Sequence, residues 1–235
     1  MFELTWSGAT FIALMKIIAI DIVLSGDNAI VIAMATRKLD EKRRNLAIFW
    51  GTFGAILLRI LFAAVIAVLL GIPLVHFFGG LLLLWIAYKV LINNEGEKNV
   101  QAKDGFFQAV TTIIMADAVM SLDNVVAIAG ASDGHILLIA IGVLISIPIM
   151  IFCSKLIVKA MHRYPWIAYI GSGILAWTAG EMILKDEKVA DLIRTENPFL
   201  YYGLIAAMTG AVLFLGYLKN KSLENAGTVQ SHTNH

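Results

Sequence analysis

Apolar residues in this chain neither alternate nor recur on one helical face. They come in blocks, separated by short polar stretches. A helix that crosses a bilayer needs about 20 mostly apolar residues. Seven blocks meet that length, at about 9–36, 46–71, 73–93, 105–131, 135–159, 164–184 and 198–218. The pattern predicts an all-α, polytopic membrane protein with seven transmembrane helices and a single transmembrane domain over 1–218. Residues 219–235 are polar and are expected to form a disordered cytoplasmic tail. Gly71-Ile72-Pro73 and Ser132-Asp133-Gly134 read as tight connections. No basic residue precedes Lys16, so the first block reads as a retained helix rather than a removed leader.

Composition agrees with the blocks. The chain is 59% hydrophobic and 15% charged, where soluble domains carry about a quarter charged residues. A net charge of +1 gives no reason to expect a nucleic-acid partner. The single cysteine, Cys153, excludes an intrachain disulfide and a cysteine-based zinc site.

The distribution of Lys and Arg sets the orientation. The loop TRKLDEKRRN contains five, and alternate connections sum to thirteen on one side against three on the other. The positive-inside rule then places the N-terminus outside and the C-terminus in the cytoplasm of a cell-membrane protein.

Within this apolar background the stretch DIVLSGDNA, from Asp21, is matched by DAVMSLDNV, from Asp117. Both carry D-x-x-x-S-x-D-N, 96 residues apart. A weaker pair, GGLLLLWIA from Gly79 and GSGILAWTA from Gly171, shares Gly, Trp and Ala. Residues 9–93 and 105–184 therefore read as two three-helix repeats, with 198–218 added. Three crossings is an odd number, so the second copy would be inverted relative to the first. Polar interruptions at matching places in inverted repeats point to a transporter's midplane site.

Ser and Gly are common at helix contacts in membranes, but that does not account for the aspartates. One Asp at a helix centre costs roughly 2.5–3.5 kcal/mol, so four facing lipid would cost on the order of 10–14 kcal/mol. Asp21, Asp27, Asp117 and Asp123 must therefore meet a counter-charge, water or an ion. On a continuous helix Asp21, Ser25 and Asn28 fall within about 60° of arc, while Asp27 points about 120° away. A helix break near Ser25–Gly26 would bring Asp27 back. The second copy has Leu122 in place of Gly26, which makes a break there less favourable.

Together the copies offer Asp21, Asp27, Asn28, Asp117, Asp123 and Asn124 as metal ligands, with Ser25 and Ser121 in support. An all-oxygen set suits hard divalent cations such as magnesium, calcium or manganese. Met115 and Met120 flank the second motif and are expected to fill core, although a thioether would add a softer ligand. Lys16 and Arg59 lie inside spans and are candidates for charge coupling, as is Glu181 near the outer end of the sixth segment. His76, His135 and His162 read as solvated flanks, and His232 and His235 belong to the tail. The chain has no phosphate-binding glycine loop and no nucleophile–base pair, so an enzyme is not expected.

The twin motifs in a seven-span chain resemble the TerC family of integral membrane proteins, in its short bacterial YjbE-type branch within the LysE-like transporter superfamily. The resemblance covers about residues 6–220. It implies manganese(II) efflux and puts manganese ahead of magnesium and calcium. Manganese would then be the transported ion, with no permanently bound cofactor. The partners implied are the divalent metal ion and the lipid bilayer, with a homo-oligomer, exported metalloenzymes or the secretion machinery as further candidates. Two alternatives stand beside this reading. One is an exporter of another cation or an amino acid. The other is a membrane partner protein that helps exported enzymes acquire metal, or serves a stress response, without moving ions.

Overall fold

The computed structural model describes residues 8–24, 26–70, 72, 74–92, 102–131, 136–193 and 197–232. Ser25, Gly71, Pro73, the 132–134 connection, His135 and His235 lie outside the described residues, as does the side chain of Asp123. The described residues form helices and turns and contain no strand.

The first predicted span is two helices, α1 (Gly8–Leu24) and α2 (Gly26–Thr36), set at 45° to one another. They are followed by α3 (Glu41–Leu70) and α4 (Val75–Leu91), then α5 (Ala102–Ala131), α6 (Ile136–Arg163) and α7 (Ile167–Lys185). A short α8 (Glu187–Ile193) precedes α9 (Pro198–His232). By length and apolar composition, α3, α5, α6, α7 and α9 qualify as membrane spans, and the bent α1–α2 pair makes a sixth. The remaining predicted segment is α4, whose 17 residues reach about 26 Å at 1.5 Å per residue. That is a little short of a hydrocarbon core of about 30 Å.

Two details differ from the sequence expectation. Helix α8 was not foreseen, because its seven residues lie in the polar stretch between the sixth and seventh apolar blocks. It is capped by the buried Asp186, whose carboxylate accepts the Lys188 amide at 3.1 Å and the Phe77 amide at 3.2 Å. Asp186 thereby ties the α7–α8 junction to the start of α4. The second difference is at the C-terminus, where α9 continues to His232 instead of ending near residue 218. No proline interrupts this stretch, and extending an existing helix costs far less than nucleating one.

The main helix pairings have an internal regularity. Helix α3 packs on α5, and α6 packs on α1 and α2. Helices α4 and α7 pack on each other, α2 meets α5, and α9 covers α4 and α7. Exchanging α1–α4 for α5–α7 leaves these pairings unchanged. A Cβ on Gly79 would meet Met182 of α7 and Val119 of α5, and a Cβ on Gly171 would meet Ile30 and Met34 of α2.

Helix α4 is held at both ends. Its last carbonyls, unpaired within the helix, accept Arg37 Nη2 at 3.1 Å from Val90 and Asn220 Nδ2 at 3.3 Å from Leu91. Lys38 Nζ reaches the Ile92 carbonyl at 3.0 Å. Cations at a helix C-terminus also complement its dipole. Along its length α4 lies against α7 so closely that a Cβ on Gly80 would sit 2.7 Å from the Ala179 carbonyl oxygen. Backbone cannot yield there as a side chain would. Gly80→Ala should therefore lower stability by about 1–3 kcal/mol through overpacking, read as a lower thermal midpoint of the purified protein in detergent. Gly203→Ala, where nothing lies within 4 Å, should leave the midpoint unmoved.

Candidate functional site

The two motifs meet where α1, α2, α3, α5 and α6 converge. At the centre is Arg59, in the middle of α3 and 1% exposed, so its charge does not snorkel to either surface. Its guanidinium donates to both motif-leading carboxylates. Nη1 pairs with Asp21 of α1, and Nη2 pairs with Asp117 of α5 at 2.6 Å. Nε donates to Ser121 Oγ at 3.1 Å.

Neighbouring side chains occupy further acceptor positions on the carboxylates. Asp117 also accepts Asn28 Nδ2 at 2.9 Å and Ser121 Oγ at 3.1 Å. Asp21 accepts the hydroxyl of Ser146 from α6. Asp21 is fully buried and Asp117 nearly so. Removing two carboxylates and a guanidinium from water costs several kcal/mol per ion, which only close pairing and additional hydrogen bonds offset. That arrangement is present here, and it links five helices around three charges.

The remaining expected residues divide into three groups. Asn28 and Ser121 join the cluster, and Asn124 is buried on α5 close to Ser121. Asp27 lies in the first turn of α2, where its Oδ1 accepts the Asn28 amide at 3.0 Å. This is the place the predicted helix break reserves for it. Helix α5, in contrast, runs unbroken through the second motif. Lys16 is exposed on α1 and stands outside the described cluster. Glu181 also stands apart, accepting Trp177 Nε1 at 2.9 Å and facing Lys185 at 3.7 Å. Met115 is exposed toward the lipid, whereas Met120 is buried at the site. His162 is exposed at the end of α6.

Among the described residues, no three His, Cys, Asp or Glu side chains gather around a common point. Arg59 stands between the carboxylates that the sequence suggested as joint ligands. Ser146 was missed in the sequence reading, although it is a polar residue within the apolar run ILLIAIGVLISIPIM. A lone hydroxyl in such a run was the available signal.

Beside the cluster is a small, mostly apolar cavity, bordered by Asn28, Arg59 and Asp117 and walled by side chains such as Ile32, Ile56 and Ile113. About 10 Å³ is open to the centre of a water-sized sphere, about enough for one water or one small ion.

The family model described as "Integral membrane protein TerC family" matches residues 6–224. The chain is 45% identical over 179 residues to the uncharacterized membrane protein YjbE of Bacillus subtilis, covering 76% of this chain and 82% of that protein. It is 25% identical to the uncharacterized membrane protein YkoY of the same organism, over 87% of this chain and 68% of YkoY. It is 27% identical to the UPF0053 inner membrane protein YgdQ of Escherichia coli, over 90% and 94% of the two chains. No solved structure matches significantly.

Removing the guanidinium leaves two buried acids facing one another. Arg59→Met should therefore destabilise the protein by about 3–5 kcal/mol, measured as loss of the folded fraction in thermal unfolding. The triple variant Asp21→Asn/Arg59→Met/Asp117→Asn, which removes all three charges, should recover a large part of that loss.

Proposed function

The chain belongs to the TerC family of integral membrane proteins, and on that premise we propose that it exports manganese(II) across the cell membrane by alternating access. The observation that carries the proposal is the meeting of Asp21 and Asp117 on Arg59. These two residues hold the same position in the two motifs, and the helix pairings are unchanged when the halves are exchanged. Two such halves, inverted in the membrane, rock against each other around the shared acidic centre.

Arg59 serves as the resident counter-charge. With no ion bound, the guanidinium neutralises part of the acid cluster and keeps its carboxylates tolerable in a low dielectric. An arriving divalent ion takes over carboxylate oxygens from the guanidinium, and Asp27, Asn28, Asp123 and Asn124 complete an oxygen shell. Once the ion leaves, Arg59 returns to both acids. Metal and guanidinium thus compete for one set of oxygens, which protects the bilayer core from bare negative charge. Protons exchanged at the carboxylates provide a route to coupling.

Cavity size favours an ion over an amino acid as cargo, since the space beside the cluster holds about one water. The choice of manganese rests on the family resemblance. The basic loops face the cytoplasm and the N-terminus faces outward.

Asp27→Asn and Asp123→Asn are each expected to abolish efflux while the protein remains inserted. The check is growth and cellular manganese content of cells challenged with manganese. Full manganese resistance in either variant, at normal protein levels in the membrane, would exclude this site as the transport centre.

A further inference from the structure

Asp21 and Asp117 share Arg59 but differ in their other donors. The hydroxyl of Ser146 on α6 has two acceptors within reach, the Asp21 carboxylate and the Val143 carbonyl at 2.8 Å. A serine hydroxyl carries one proton, so it serves one of them at a time. Asp117 accepts Asn28 Nδ2 at 2.9 Å and Ser121 Oγ at 3.1 Å, and neither donor has a second acceptor among the described residues. If Asp117 turns away, both are left buried without an acceptor, which is costly. If Asp21 turns away, the Ser146 hydroxyl goes to Val143, a bond serines in helices commonly make with the preceding turn. That donor is never orphaned.

The register of the two halves shows the same inequality. A Cβ on Gly51 of α3 would meet Ile113 of α5, and a Cβ on Gly142 of α6 would meet Ile17 of α1. Each isoleucine stands four residues before the leading aspartate of its motif. Helix α3 therefore sits on α5 as α6 sits on α1. Four residues beyond the two glycines, about one turn on, are Ala55 and Ser146. Eight residues beyond them are Arg59 and Met150. At matched positions α3 supplies the cation and α6 supplies the hydroxyl with two acceptors. The framework is duplicated, but the polar groups on it are not.

We propose that Ser146 is a positioning residue that makes Asp21 the first carboxylate to pass from Arg59 to the ion. The proposal rests on the transport reading above and adds to it the order in which the two acids engage. With no ion bound, Arg59 and the Ser146 hydroxyl both hold Asp21. As Asp21 turns to the ion, the hydroxyl rotates to the Val143 carbonyl, and Asp117 follows only after its own donors are displaced. Helix packing alone would also place a hydroxyl between α6 and α1. In that case its loss would weaken folding without tightening ion binding.

The test is equilibrium manganese binding by the purified full chain in detergent, with the free ion counted by its electron paramagnetic resonance signal, beside initial manganese flux in liposomes. Ser146→Ala removes a competing donor from the ion-free state and costs the ion-bound state only the bond to Val143. Binding is expected to tighten about tenfold, the worth of one hydrogen bond to a charged group. Maximal flux is expected to fall, because the ion leaves more slowly. Ser146→Thr keeps the hydroxyl and is expected to bind manganese as wild type does. A Ser146→Ala protein that folds and binds manganese with unchanged or weaker affinity overturns the proposal and leaves the transport reading standing. Equal tightening in Ser146→Thr overturns it as well. Wild-type protein that neither binds nor moves manganese overturns both. Should Ser146→Ala fail to fold, Ser146→Cys, a weaker donor of similar size, is expected to tighten binding by a smaller factor, and unchanged affinity there overturns the proposal.

Discussion

Arg59 carries a positive charge into the buried middle of a helix bundle. Two carboxylates from separate helices close on it, and Ser121, Ser146 and Asn28 fill further positions around the three charges. A buried ion pair contributes little to net stability, but breaking one leaves an uncompensated charge at great cost. The neighbouring packing therefore has little freedom. Helices α1, α3 and α5 must approach closely enough for one guanidinium to span them, and α2 and α6 must bring Asn28 and Ser146 within hydrogen-bonding distance.

The outer helices meet a different demand. In lipid there is no hydrophobic drive to bring helices together, so close contact depends on small residues and local polar bonds. Gly79 and Gly80 let α4 settle onto α5 and α7, and Gly171 does the same for α7 on α2. At the end of α4, Arg37, Lys38 and Asn220 satisfy carbonyls that a short helix would otherwise leave near the membrane boundary. Large apolar side chains such as Phe199, Phe214 and Leu215 point outward from α9, as a lipid-facing surface requires.

Much of this was legible in the sequence, for reasons specific to each element. Apolar blocks define helices clearly because an unpaired backbone is intolerable in lipid. The break after Leu24 was readable from wheel geometry, since a straight helix would turn Asp27 away from Asp21. The residue opposite Gly26 in the second motif is Leu122, and α5 there is continuous. Arg59 was visible as a charge within a span that could pair with the motif aspartates, but which two of the four it meets was not. That choice depends on which helices neighbour α3, and a repeat alone does not say. Ser146 was overlooked because it lies outside both motifs and becomes relevant only through α6. The length of α9 was misjudged because polarity marks the end of a membrane crossing, not the end of a helix.

The order of residues around Arg59 also bears on how the protein is made. Synthesis proceeds from the N-terminus, so α1 brings Asp21 to the membrane before α3 delivers Arg59. Each arrives where an isolated charge is costly, and each provides the other with a partner before the second half of the chain exists. Asp117 follows on α5, joined by Ser121 from the next turn and meeting an Asn28 already present on α2. The first half of the chain thus contains a carboxylate partner for its own buried cation, and the second half adds another in Asp117.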